Sequence, residues 1–479
     1  MAAEPSSIHE QHEIERMHAM FRAQRAAFEA VPMPDARRRR ADLARLKDSL
    51  IAHRDAFAEA VRQDFGGRSR HETLAELLGS VQGIRYARRH LRGWMRPSRR
   101  QAGLLLATTR CRVMYQPKGV IGVIVPWNYP VFLAIGPLTC ALAAGNRVML
   151  KMSESAPATA ELMRTMLADA FDEDQVGVVL GEVDAGRAFS ALPFDHLLFT
   201  GSTAIGKEVM RAAAENLTPV TLELGGKSPT LIAPDVPMKM AAERICFGKA
   251  LNAGQTCVAP DYVLCPEQRV DEFVREFSAA FEAMYPDLLR NDDYTSVVNE
   301  RQWSRLQGYL EEARAGGAEI IVLYPDGTEV ETATRRMPIH LIRGAQPEMR
   351  VMREEIFGPI LPIVPYRTLD EALAYINSRP RPLAINLFDR DRKRSQRVLD
   401  ATHSGGVCVN DAITHFIAED LPVGGIGDSG MGHYHAYEGF LTFSHHKAVL
   451  SRPLINTAKV LYAPHGGWLQ NLLYRLFLR

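Results

Sequence analysis

The sequence predicts an α/β fold in which sheets of largely parallel strands are covered by helices on both faces. Three observations carry that expectation. Short, largely apolar runs rich in β-branched residues (120–125, Arg147–Lys151, 176–180, 196–199 and 220–224) alternate with alanine-rich helical stretches. Strands read this way when helices shield both faces of their sheet from water. A second section of the same texture runs from Thr230 to about Val423. Ahead of both lies a helical region, in which Leu43, Leu46, Leu50, Phe57 and Val61, and then Leu74, Leu77, Leu78, Val81, Ile84 and Leu91, recur at helical spacing. The four arginines of 37–40 fall inside it and are expected to form a solvated helix start, because the chain as a whole is close to neutral. Segments 113–116 and 440–449 belong to neither alternating series; they are read as a paired arm, with a second subunit as its partner.

At 479 residues the chain is too long for one ordinary core, and two or three domains are expected. A net charge of +1 gives no electrostatic footprint for nucleic acid or an anionic membrane. Glu10, Glu13 and Glu15 stand where a secretory signal would need an apolar stretch, and nowhere do about 18 apolar residues run together as a bilayer span requires. The six cysteines (Cys111, Cys140, Cys246, Cys257, Cys265, Cys408) are scattered, with no C-x-x-C pair and no histidines at finger spacing. This pattern is neither a disulfide framework nor a metal site, and a reduced, cytoplasmic setting is expected.

Several short segments carry chemistry. F-T-G-S-T-A-I-G-K-E at 199–208 follows an apolar strand and continues with Val209, Met210 and Ala213 at helical spacing. A strand, tight turn and helix in that order set backbone N–H groups and a helix N-terminus against a phosphate. Thr203 stands where the middle glycine of G-x-G-x-x-G would be, so a pyrophosphate would be held further off; a plain tight turn is the other reading. L-E-L-G-G-K-S-P at 222–229 places Glu223 at the end of an apolar strand. A carboxylate there is costly unless it is paired or serves as a base in a partly dry cleft. N-A-G-Q-T-C at 252–257 puts Cys257 after a glycine-containing turn, just past the probable helix 240–251, among small polar neighbours that leave a thiol approachable; a buried structural cysteine is the alternative. Cys140 and Cys246 lie in apolar helical patterns and read as core.

P-W-N-Y-P at 126–130 fixes the Asn128 amide at a strand's carboxyl end, which suits either an oxyanion donor or an Asx turn. K-M-S-E at 151–154 offers Lys151 and Glu154 to ribose hydroxyls, or to each other as a surface ion pair. E-E-I-F-G-P at 354–359 offers Glu355 to a ribose and Phe357 to a flat ring, or forms a hinge turn around a core phenylalanine.

Taken in order, these six motifs resemble the aldehyde dehydrogenase superfamily over nearly the whole chain. The run 421–445, L-P-V-G-G-I-G-D-S-G-M-G-H-Y-H-A-Y-E-G-F-L-T-F-S-H, is similar to its class 3 branch, and especially to coniferyl aldehyde dehydrogenases. The resemblance implies an aldehyde dehydrogenase-like α/β fold with a Rossmann-type cofactor domain (1–104 and 119–222), an α/β catalytic domain (223–425) and a β oligomerisation arm (105–118 and 426–452), followed by a tail (453–479). It implies Cys257 as nucleophile, Glu223 as the base for water, and Asn128 with the Cys257 N–H as oxyanion donors. Lys151 and Glu154 would hold the adenosine ribose, Gly201 and Ser202 the pyrophosphate, and Glu355 the nicotinamide ribose. Phe357, Leu224, Gly225 and Trp127 would complete the cofactor surroundings. NAD is the expected cofactor, since Glu154 would repel a 2′-phosphate, with NADP also accepted in this branch. The expected product is a carboxylic acid, from coniferyl or another aromatic aldehyde, or from a medium- or long-chain aliphatic one. The expected assembly is a homodimer.

A phosphorylating or CoA-acylating enzyme would use the same thiol without needing Glu223 to activate water, and a cysteine hydrolase would need a histidine partner that has no recognisable motif here. A non-catalytic relative would be expected to lose one of Cys257, Glu223 and Asn128. Val423 departs from an aromatic common among close relatives. In the tail, Trp468, Leu469, Leu472, Leu473, Leu476 and Phe477 form an apolar stripe beside Tyr474, Arg475 and Arg479, too short to span a membrane. Docking on the protein's own surface is the favoured reading, and peripheral contact with a bilayer is the other.

Overall fold

The computed structural model describes residues 8–103, 106–288, 290–324, 334–454 and 456–478. Its first sheet has six strands, in the order Gly430–Met431, Val220–Glu223, His196–Thr200, Val120–Ile124, Arg147–Lys151, Val176–Val179. All are parallel except the first, which lies antiparallel on Val220–Glu223. Each predicted run is thus a strand, shortened by at most one residue or extended by one. The physical cause is burial on both faces. Ile121, Val123, Val148 and Leu150 pack against the helices Phe132–Ala144, Pro157–Ala170 and Arg70–Trp94 on one face. Val120, Met149, Val179 and Leu197 pack with Met17, Met20 and Phe21 of helix Ile8–Ala30 on the other.

From Val120–Ile124 the chain builds outward to Arg147–Lys151 and Val176–Val179, then returns to lay His196–Thr200 on the other side of the starting strand. Ligands of such sheets bind where the order reverses, beyond the strands' carboxyl ends. Here that crevice lies between the turns after Ile124 and after Thr200, the turns that carry P-W-N-Y-P and T-G-S-T.

The second sheet has seven strands, ordered Glu319–Val322, His340–Arg343, Ile360–Tyr366, Tyr262–Pro266, Pro229–Ile232, Ala384–Phe388, Gly406–Val409, with only the outermost, Glu319–Val322, antiparallel. Helices Met238–Ala250 and Val270–Met284 bury an apolar stripe on it; Phe273, Phe277 and Phe281, four residues apart, share one face.

A third, antiparallel sheet joins Ser98–Arg100, Arg110–Pro117 and Ser444–Ser451, with Ser444 opposite Pro117 and Ser451 opposite Arg110. This is the expected arm pairing, with a different extent. Ser98–Arg100 contributes a third strand from before residue 105, Gly430–Met431 joins the first sheet, and Ala436–Thr442 is a helix that drives Phe440 into the core against Trp94 and Tyr115.

Two expectations fail. The basic run does start a helix, Ala36–Ala52, with Arg37 and Arg38 exposed, but Arg39 is buried, not solvated. Its guanidinium donates to the carbonyls of Ala143 and Ala144 and to Pro34 O, satisfying the free carbonyl end of helix Phe132–Ala144. Burial lowers its pKa to about 10. Nor does the tail helix Trp468–Phe477 dock its stripe on the protein. Trp468 is 78% and Phe477 62% exposed, whereas Gln470 is buried and accepts from Gly466 N, so the helix is anchored by its polar edge. Arg479 lies outside the described residues. Among the described residues no helix is long and apolar enough to cross a membrane.

Candidate active site

Helix Met238–Ala250 stops in a short turn, Leu251–Gly254, where Asn252, Ala253 and Gly254 all take positive φ (52°, 51° and 72°). Gly254 is required there, because a Cβ would lie 2.5 Å from Gly358 O. The reversal delivers Cys257 to the wall of a cavity of about 680 Å³ that Asn128 also lines. The two turns are stitched together. Asn128 Nδ2 donates to Gln255 O at 3.1 Å, Asn252 Nδ2 donates to Asn128 O at 3.0 Å, and the Tyr129 and Thr256 hydroxyls lie 2.9 Å apart. Burial, then the Glu355 and Glu223 carboxylates, push the Cys257 thiol up to about 12, while the Cys257 and Val258 N–H groups pull the other way. Cys140 and Cys246 are core residues, as their patterns imply.

Glu223 ends its strand. Its carbonyl accepts from Gly201 N at 3.0 Å, and Gly430 pairs with it on the other edge. The side chain is buried, its Oε1 has no hydrogen-bond partner among the described residues, and burial alone raises the carboxyl well above the usual range. The paired strand-end glutamate considered from sequence is therefore not what is present.

The remaining sequence candidates gather at the carboxyl edge of the first sheet. Lys151 is buried, and its ammonium donates to Met152 O at 2.8 Å and Gly181 O at 2.7 Å, so it forms no surface ion pair; Glu154, exposed on the following turn, is still felt by it electrostatically. Ser202 caps helix Thr203–Ala214 by accepting from Ile205 N, and Thr203 donates its hydroxyl to Asp428 O at 3.0 Å. The residue in the middle-glycine position thus ties the turn to the segment that crosses it. Leu224 is buried, with its N–H on Ser429 O.

Glu355 lies directly against Gly225, where a Cβ would come within 2.0 Å of the carboxylate. Burial, and then Asp261, push its carboxyl up to about 8, and Oε1 is unpartnered among the described residues. Phe357 takes φ 49° and sets its ring edge-on to Trp127, with centroids 5.3 Å apart at 83°. Sequence reasoning missed what holds this turn. Arg305 donates to the carbonyls of Glu355, Ile356 and Phe357, while Lys227, paired with Asp261, donates to Val351 O, and Asp261 accepts from Ile356 N. It also missed the cavity wall, where Tyr129, Phe132 and Leu133 face Phe247, Ile413 and Phe416. Residues so far apart in the chain share no period that could have flagged them.

Thr200 Oγ1, Glu223 Oε1 and Glu355 Oε1 are buried atoms without partners among the described residues, and Thr200 sits beside Glu223 in strand register. Unsatisfied acceptors at a helix-capped crevice fit a hydroxyl-rich dinucleotide. The sequence profile of the aldehyde dehydrogenase family matches residues 6–449. The chain belongs to the aldehyde dehydrogenase family.

A probable coniferyl aldehyde dehydrogenase of Pseudomonas aeruginosa is 57% identical over 470 residues, covering 98% of each chain. Among solved structures, the substrate-bound AldH of Staphylococcus aureus superposes with a TM-score of 0.91 at 34% identity, covering 97% of this chain and 99% of that one. An aldehyde dehydrogenase of Mycobacterium tuberculosis complexed with NAD+ superposes at 0.80 with 30% identity, covering 89% and 88%. This aldehyde dehydrogenase uses a nicotinamide cofactor to oxidise an aldehyde.

Proposed function

We propose that the enzyme oxidises aromatic aldehydes of the coniferyl type to their carboxylic acids, with Cys257 as nucleophile, Asn128 as oxyanion donor and Glu223 as the base for water. The observation that carries this reading is that Cys257 lines an apolar cavity and lies within the electrostatic reach of the buried, unpartnered Glu223 carboxylate. Cys257 first loses its thiol proton to solvent; the thiolate then bonds to the aldehyde carbon, and the carbonyl oxygen becomes an oxyanion that Asn128 Nδ2 and the Cys257 N–H stabilise. The nicotinamide supplies, when bound, the hydride acceptor and a positive charge that favours the thiolate. Loss of hydride from the adduct leaves a thioester on Cys257. Glu223 takes a proton from water, the hydroxide adds to the thioester carbon, and the acid leaves as the thiolate returns.

Lys151 and Glu154 would hold the adenosine ribose, with Gly201 and Ser202 at the pyrophosphate and Glu355 at the nicotinamide ribose. Phe357, Trp127, Leu224 and Gly225 would enclose the ring. Glu154 disfavours a 2′-phosphate, so NAD is the preferred nucleotide. The six-stranded sheet is the core of the proposed cofactor domain, the seven-stranded sheet that of the catalytic domain, and the three-stranded sheet is the arm of a homodimer. The exposed tail stripe, in a segment 453–479 that carries no Asp or Glu, supports peripheral contact with a bilayer. Co-sedimentation with liposomes should be lost on deleting 465–479.

A panel of aldehydes, followed by absorbance of the reduced nicotinamide with each nucleotide, tests the substrate reading. Cinnamyl-type aldehydes with NAD should give the highest kcat/KM. A clear preference for decanal over them would instead assign the cavity to aliphatic chains.

A further inference from the structure

Arg68 stands just before helix Arg70–Trp94, and its side chain is wholly enclosed between the rings of Phe65 and Tyr129, 5.1 and 4.8 Å from its guanidinium carbon. It reaches three groups. Nη1 donates to Asn128 O at 2.7 Å, Nη2 to Glu76 at 3.3 Å, and Nε faces Glu72 at 3.9 Å. Glu72 in turn accepts the Asn252 N–H at 3.1 Å and the Thr295 hydroxyl at 2.8 Å. Glu76 accepts the N–H groups of Val131 and Phe132, both at 2.8 Å, at the start of a helix that lacks a side-chain cap of its own.

We propose that Arg68 and Glu72 are positioning residues, which fix the Asn128 turn and the 252–257 turn at one separation, so that oxyanion donor and nucleophile meet the same carbonyl. Burying one guanidinium and two carboxylates is a poor way to gain stability, since apolar side chains of similar size would serve at least as well. Besides pairing with one another, Arg68 and Glu72 each reach a backbone atom of one of the two catalytic turns, Asn128 O and Asn252 N–H, while Glu76 caps the helix that follows the first turn. Asn128 O receives Arg68 from one side and Asn252 Nδ2 from the other, while Glu72 holds the N–H of Asn252 in its left-handed conformation. Glu72 also lines the cavity, so truncating it opens space to water without emptying the core. Misplacement by about 1 Å costs on the order of a hundredfold in such reactions.

The proposal rests on Asn128 being the oxyanion donor, and a double-mutant cycle separates the two claims. Glu72→Ala should lower kcat roughly tenfold to a hundredfold, leave the KM for NAD unchanged, and be largely rescued by Glu72→Gln, which keeps an acceptor for the Asn252 N–H. In an Asn128→Ala background, where the separation no longer matters, Glu72→Ala should cost less than about twofold. Arg68→Lys, which cannot span Asn128 O and Glu76 together, should behave as Glu72→Ala does, and it carries the test if that variant does not fold. Equal fold losses in both backgrounds, or a wild-type kcat in Glu72→Ala, would overturn the positioning role and leave the site reading intact. A wild-type kcat in Asn128→Ala alone would overturn both.

Discussion

The two sides of Cys257 are built from opposite materials. Its thiol feels the buried, unpartnered carboxylates of Glu223, beside which Thr200 lies in strand register, and of Glu355; it also lines a cavity walled by Tyr129, Phe132, Leu133, Phe247, Ile413 and Phe416. An unsatisfied buried acceptor is costly and persists where a ligand or a reaction step uses it, whereas an apolar wall gains only by covering apolar surface. The difference teaches which side demands a defined partner and which accepts a range. Cofactor geometry should be intolerant of change on the polar side, and aldehyde selectivity should be graded on the apolar one.

Variants can break this contrast. Cys257→Ala removes the bond-forming atom shared by both sides and should abolish reduction of the nucleotide, at least about ten-thousandfold; retained turnover would refute the nucleophile assignment. In the enzyme without nucleotide, a thiol pushed up to about 12 is protonated at neutral pH, so its alkylation should accelerate roughly tenfold per pH unit between pH 7 and 9. A rate flat across that range would show a thiolate already present. Phe132→Ala should lower kcat/KM for aromatic aldehydes by about ten- to two-hundredfold while leaving the affinity for NAD unchanged. The smallest effect is expected at exposed Glu154. Glu154→Gln should raise the use of NADP relative to NAD by a few-fold, measured as a ratio of kcat/KM values, with no change in aldehyde preference.

The polar side was the more legible in the sequence, for a physical reason. Lys151, Ser202, Glu223 and Glu355 each sit at a strand end or tight turn, so local pattern and function coincide there. The strands were legible because burial on both faces leaves runs that are apolar but for their ends and an occasional paired polar group. The apolar side was not: Phe132 and Phe416 meet with centroids 5.9 Å apart although nearly three hundred positions separate them, and no period links them. Charge patterning misled at Arg39, since four adjacent arginines look solvated whether or not one of them caps a distant helix. Glu72 was silent for a similar cause: its partner Asn252 is 180 residues away. The tail stripe was read correctly as apolar, but its spacing could not reveal that Gln470, and not Trp468, would face inward.

The most direct test of covalent chemistry shared by Cys257 and Glu223 is mass spectrometry of Glu223→Gln mixed with NAD and aldehyde. With the base removed, deacylation should slow about a hundredfold or more, one equivalent of NADH should form quickly, and the acyl mass should accumulate on the peptide carrying Cys257. Rapid steady-state turnover with no acyl-enzyme, or an acyl group on another residue, would contradict the account.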